Sequence, residues 1–212
     1  ILRGLKILDF SSMIPGPLAT MMFADLGAEV IHIESSRRVD MMRVMPPYDE
    51  NRESYIHQHL NRSKQSIALN LKTPEAIEIV KALMADYDIV IEGFRPGVMK
   101  RLGLDYDTLR EINTALIYCS ITGYGQDGPF ANRPGHDINY LSVAGVLDHS
   151  RHKTQKPVAM GIQLSDFAGG AMHVAVGVLA AAYNREKTGE GQYIDVSMTD
   201  AIFTMNTVYG AQ

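Results

Sequence analysis

The chain has 212 residues, 46% of them hydrophobic and 21% charged, and carries a formal net charge of −4. That length and balance describe a folded globular chain able to bury a real core, and the acidic sign leaves no electrostatic footprint for nucleic acid. The single Cys119 excludes an intramolecular disulfide framework and fits a reducing, cytoplasmic setting.

Taken in chain order, Lys6 to Phe10 reads as a buried strand, a pattern expected inside a fold rather than in a signal peptide. Pro15-Gly16-Pro17 opens a helix to about Leu26, with proline suited to the first turn, and Gly27 stops it. Glu29 to Glu34 is the next strand. Ser35 to Lys64 then breaks the rhythm; it is rich in Arg, Asp, Met and Pro and is expected to be a functional or mobile excursion over the surface. Ser66 to Leu71 alternates as a third strand, and Thr73 caps a helix to about Asp86. Asp88 to Glu92 is a strand, Tyr106 to Asn113 a helix, and Leu116 to Ile121 a strand that holds Cys119 as a buried, inert thiol. Beyond a glycine-rich loop, Ala171 to Tyr183 reads as a buried helix. Its continuous apolar stretch, Val174 to Ala182, falls short of a membrane span, so no membrane partner is expected. Arg185 to Gly191 is a charged turn, Tyr193 to Ser197 a strand, and Met198 to Tyr209 a further helix. This β-α alternation predicts an α/β fold built on a doubly wound, mostly parallel sheet with helices on both faces.

Two segments carry chemistry. The first is Gly135-His136-Asp137-Ile138-Asn139-Tyr140; the second, Ser165-Asp166-Phe167-Ala168-Gly169-Gly170, places Asp166 thirty residues after His136. An imidazole titrates near neutrality, and a desolvated carboxylate approaches it. His136 and Asp137 on an extended segment would point to opposite sides. A helix starting just after Asp166 would offer unpaired amides to a negative charge growing on a substrate oxygen. The plainer reading of Asp166 is a helix N-cap. Together these groups suit removal and return of a proton on carbon next to a carbonyl. An enolate oxygen would find donors in the amides around Asp137 or Gly169-Gly170.

Gly123-Tyr124-Gly125-Gln126-Asp127-Gly128 matches the spacing of a dinucleotide loop, but Pro129 follows where a helix should start, which argues for a mobile or substrate-facing loop instead. Arg37, Arg38, Arg43, Arg62, Lys64, Arg95 and Lys100 cluster after strands, where loops of such folds bind ligands, and are expected to meet phosphates. Met13, Met160, Met172, Met198 and Met205 lie near the motifs and suit either a groove for variable chains or ordinary core filling. No metal site is expected.

The two chemical segments resemble those of the family III CoA-transferase superfamily. So do Leu2-Arg3-Gly4-Leu5-Lys6-Ile7-Leu8-Asp9, Pro15-Gly16-Pro17, Asp25-Leu26-Gly27-Ala28-Glu29-Val30, Asn61-Arg62-Ser63-Lys64, Glu92-Gly93-Phe94-Arg95-Pro96-Gly97 and Thr188-Gly189-Glu190-Gly191-Gln192. His136 before Asp137 draws the likeness toward the α-methylacyl-CoA racemase branch. The resemblance implies Rossmann-like βαβ units, with a large domain over 1–187 and the start of a linker or small domain over 188–212, in a chain that is expected to be incomplete. It implies that His136 and Asp166 are paired acid/base groups, that Asp137 is the nucleophile in the transferase branch, and that Ile14, Arg38, Arg95 and Tyr140 line the nucleotide and pantetheine groove. It implies an acyl-CoA thioester as partner, with coenzyme A part of the substrate and no prosthetic group, and an interlocked homodimer. The expected activity is exchange of the α-proton of a 2-methylacyl-CoA. The alternatives are CoA transfer between carboxylic acids and a CoA-binding module without turnover.

Overall fold

A computed structural model describes residues 1–210. Six short strands line up in parallel; the central ones are apolar runs, and the two edge strands mix polar and apolar residues. They are β1 (Lys6–Phe10), β2 (Glu29–Ser35), β3 (Gln65–Leu69), β4 (Ile89–Glu92), β5 (Ile117–Thr122) and β6 (Gln192–Ser197). Their order in the sheet is β3-β2-β1-β4-β5-β6. The chain therefore winds outward from β1 to β3, crosses back, and winds the other way from β4. The reversal leaves a crevice outside the carboxyl ends of β1 and β4, the place where open α/β sheets bind ligands.

Side chains alternate across the sheet. Ile7, Ile89, Ile91, Ile117 and Cys119, all fully buried, face one core shared with α1 (Pro15–Asp25) and α7 (His173–Thr188). Leu8, Phe10, Val90 and Tyr118 face a second core with Val80 of α3 (Pro74–Leu83), Met99 of α4 (Val98–Leu102) and Leu109 of α5 (Tyr106–Arg110). Each fully buried aliphatic side chain contributes about 1.5–3 kcal/mol relative to exposure, so both faces of the sheet must be covered. Burial also pushes the Cys119 thiol up, as an inert core thiol requires. The expected cap at Thr73 is present: its Oγ1 accepts from the Ala76 amide.

Several expectations are corrected. The excursion over 35–64 is not structureless; it holds a 3₁₀ turn at Met41–Arg43 and α2 (Tyr55–Asn61), whose Leu60 is buried against the first core. The charged turn expected from Arg185 is the last turn of α7. The final helix is broken into α8 (Met198–Thr204) and the short α9 (Thr207–Gly210). Beyond residue 187 the chain returns to the sheet, where β6 pairs with β5 from Gln192 to Ser197 and completes it.

The largest correction concerns the helix expected at Ala171. A π-helical segment, Ser165–Met172, runs straight into α7, so the helix begins six residues early. The two glycines that suggested a helix start are interior positions selected by close packing. A Cβ on Gly170 would sit 2.8 Å from the Cβ of Pro15 at the start of α1. By length and composition the joined 24-residue helix could cross a membrane. Its Ala171, Val174 and Val178 are instead core residues at 0% exposure.

Candidate active site

The first chemical segment is clamped from three sides. His136 has extended backbone and caps α6 (Asp137–Val143), and its amide donates to Asn139 Oδ1 at 2.9 Å. Asp137 is thus the first helical residue, not half of an extended pair. The Tyr140 hydroxyl donates to the Gly135 carbonyl at 2.6 Å, and the Tyr140 ring is buried edge-on against Tyr124. That ring presses so closely on Gly123 that a Cβ there would lie 2.1 Å from it. Tyr140 therefore holds the loop and α6 together.

Asp137 links the two segments. Its Oδ1 accepts from the Ser165 amide at 2.6 Å and the Asp166 amide at 3.1 Å. Those are unpaired first-turn amides of the π-helical segment, so Asp137 serves as a cap supplied from another element. Asp166 lies inside this first turn and is not the cap. The amides of Gly169 and Gly170 lie within the helix, which removes them as donors to an enolate; those around Asp137 remain.

The electrostatics follow from this geometry. Burial, and then the neighbouring Asp137 charge, push the Asp166 carboxyl up to about 7. Burial raises Asp137 as well, while the two amides it accepts from work the other way. A π-helical turn at a carboxylate shifted to neutrality is a common mark of a functional site. His136 is exposed one residue from this carboxylate pair.

Of the proposed groove residues, Ile14 is half-buried at the start of α1, and its side chain packs against the core that also contains Tyr140. Arg38 is exposed after β2, its amide donating to Ser35 Oγ. Arg95 is exposed after β4, near enough for its charge to act on the Tyr140 phenol, as do those of Asp166 and Asp137. It lines a cavity of about 410 Å³ with Lys100, Glu92, Ser120 and Gln126. Burial holds the Glu92 carboxyl up at about 7.

The expected phosphate cluster divides. Arg43 pairs with Glu34, Arg62 with Asp25, and Lys64 with Asp9 in the interior, so these three are already neutralised. Among the described residues, Arg37, Arg38, Arg95 and Lys100 form no ion pair. Sequence reasoning missed the buried group around Asp9; its signal was a carboxylate in the middle of a buried strand.

A parallel sheet whose order reverses beside a carboxylate shifted to neutrality defines a doubly wound α/β protein with a candidate acid/base site. A sequence profile described as CoA-transferase family III matches residues 2–212, and the chain belongs to that family. It is 39% identical over 197 residues to human succinyl-CoA:glutarate CoA-transferase, covering 93% of this chain and 45% of that protein. It is 37% identical over 199 residues to human alpha-methylacyl-CoA racemase, covering 94% and 48%. A crystal structure of a CAIB/BAIF family protein from Brucella suis superposes with a TM-score of 0.91 at 33% identity, covering all of this chain and 58% of that one. The chain thus spans about half the length of the curated relatives it matches. Those relatives are enzymes of two kinds, racemases and CoA-transferases.

Proposed function

We propose that the full-length protein is an acyl-CoA racemase. Its reaction exchanges the α-proton of a 2-methylacyl-CoA thioester through an enolate. One of His136 and Asp166 takes the proton from one face while the C–H electron pair moves into the enolate. The other returns a proton to the opposite face and restores the thioester; the reverse direction swaps the roles. The observation that carries this reading is Asp166, half-buried and held at about 7, where a carboxyl can both give and take a proton at neutral pH. Asp137 positions the pair by capping the helix that bears Asp166. Coenzyme A enters as part of the substrate. A cytoplasmic, interlocked homodimer belongs to the same reading.

The test is incubation of the full-length enzyme with one epimer of a 2-methylacyl-CoA in deuterated water. Loss of configuration with deuterium at the α-carbon is expected. Retention of configuration, with CoA passing to an added carboxylic acid, would replace this reading with a transferase. That second reading is supported by Asp137, whose hydrogen bonds engage only Oδ1 and leave Oδ2 for attack on a thioester.

A further inference from the structure

The crevice between β1 and β4 has two walls. One is the β1–α1 turn, residues 11–14; the other is the loop after β4, residues 93–97. The walls lie close together, since a Cβ on Gly93 would sit 3.6 Å from the Cβ of Ser11. We propose that Asp9, Lys64 and Asp40 lock the β1–α1 turn as a preorganised wall of the acyl-CoA groove, Asp9 and Lys64 from within the sheet and Asp40 from outside. This rests on the acyl-CoA reading above.

The turn needs a lock because it is strained. Met13 has φ of 67°, a left-handed backbone that a side chain with a Cβ disfavours. Asp40, on the excursion after β2, holds it there: Oδ2 accepts from the Met13 amide at 3.0 Å and Oδ1 from the Met42 amide at 2.9 Å. From below, Asp9 Oδ1 accepts both the amide and the hydroxyl of Ser11, and Oδ2 accepts the hydroxyl of Thr20 in α1. Asp9 is fully buried, and its charge is met by Lys64, whose Nζ lies 3.3 Å from Oδ2. Lys64 also donates to the Pro17 carbonyl at 2.9 Å and to Asn61 Oδ1 at 3.0 Å. One ammonium thereby ties β1, the first turn of α1 and the end of α2. With its side chain 1% exposed, Lys64 cannot reach a phosphate.

Stability alone is a poor reason for this arrangement. Removing two ions from water costs much of what their attraction returns, and an apolar pair of similar volume often serves as well. What the charges add is direction, because each bond ends on a particular atom of the turn or of the helix after it. The turn in turn touches the catalytic helix. Pro15 follows it directly and abuts Gly170, four residues from Asp166. A loosened turn would therefore disturb both Ile14 and the position of the Asp166 carboxyl.

The experiment uses the full-length protein and three variants: Asp40→Ala, Met13→Gly and both together. Asp40→Ala should raise KM for the acyl-CoA by about 10-fold to 10²-fold, the scale of a displaced binding wall, and should speed hydrogen exchange at the Met13 amide. Glycine adopts the left-handed backbone without a Cβ penalty, so Met13→Gly in the Asp40→Ala background should recover most of that loss. A merely structural Asp40 would not be rescued in this way. Unchanged KM and exchange in Asp40→Ala, or no rescue by glycine, overturns the proposal. A second arm replaces the buried pair by Asp9→Leu with Lys64→Met; a folded double variant with wild-type KM also overturns it. If calorimetry shows that the wild-type protein binds no acyl-CoA, the acyl-CoA reading falls, and the groove wall with it. If wild type binds and the Asp40 and Met13 variants match it, only the lock falls.

Discussion

Asp137→Ala perturbs the one side chain that joins both chemical segments. It deletes the acceptor of two amide hydrogen bonds, at 2.6 and 3.1 Å. Bonds to a charged acceptor contribute about 1.5–3 kcal/mol each, and loss of a capping side chain costs about 0.5–2 kcal/mol. Because Asp137 is only half-buried, a total of about 2–4 kcal/mol at the start of the helix that bears Asp166 is expected. If the freed turn moves Asp166 by about 1 Å, the rate falls by about 10²-fold. Under the proposed racemase reading, slow but measurable epimerisation is expected. Asp137→Asn keeps a neutral acceptor and removes only the charge. Its rate should stay within about 10-fold of wild type, while its pH profile moves. In wild type, the limb of the kcat/KM profile set by Asp166 should fall near pH 7 in both directions. Burial, the larger cause of the Asp166 shift, persists in Asp137→Asn, but the like charge is gone, so that limb should move partway toward lower pH. The assays are thermal unfolding, epimerisation rates across pH, and mass spectrometry after hydroxylamine during turnover. A hydroxamate on wild-type Asp137, or no turnover at all in Asp137→Asn, would refute the racemase argument. Unchanged stability and rate in Asp137→Ala would refute the capping argument.

Glu92 is 4% exposed with its carboxyl raised to about 7 from an ordinary 4.5. The native state therefore keeps a proton that the unfolded chain has lost, and stability should fall as pH rises from about 4.5 to about 7, then level off. Glu92→Gln should flatten that slope and stabilise the protein at pH 8 by roughly 1–3 kcal/mol, read from denaturant unfolding at pH 5 and pH 8; a slope equal to wild type would place the proton elsewhere. Arg38→Ala and Arg95→Ala should each weaken CoA-ester binding by about 1–3 kcal/mol, the size of a charge-assisted contact. Titration with dephospho-CoA locates the ribose phosphate, and equal affinity of the wild-type protein for CoA and dephospho-CoA would argue against phosphate reading by these arginines.

The alternation of elements was legible because buried parallel strands are short apolar runs and edge strands alternate polar with apolar residues, and Lys6 to Phe10, Glu29 to Glu34 and Tyr193 to Ser197 each formed as expected, with ends that moved by no more than a residue or so. The candidate acid/base residues were legible as residue types set in an unusual order. The start of the helix that bears Asp166 was not. Gly169 and Gly170 look like a break when read locally, yet they are small because Met198 and Pro15 come against them from α8 and α1. Helix α2 was missed because its sequence is polar and its anchor, Leu60, buries only against a core assembled from distant strands.

The amino-acid sequence alone determined the fold class and named the groups of the candidate site, since periodicity and residue type are local properties. Tertiary structure alone decided how those groups are partnered. Lys64 and Asp9 are 55 residues apart, and Asp137 reaches amides 28 and 29 residues away. Whether a cation is free to meet a phosphate or spent in the interior depends on such partners, and so does whether a carboxylate is neutral or ionised at pH 7. Burial and charge act through space, and distances in space are set only when the sheet has brought the loops at its carboxyl edge together.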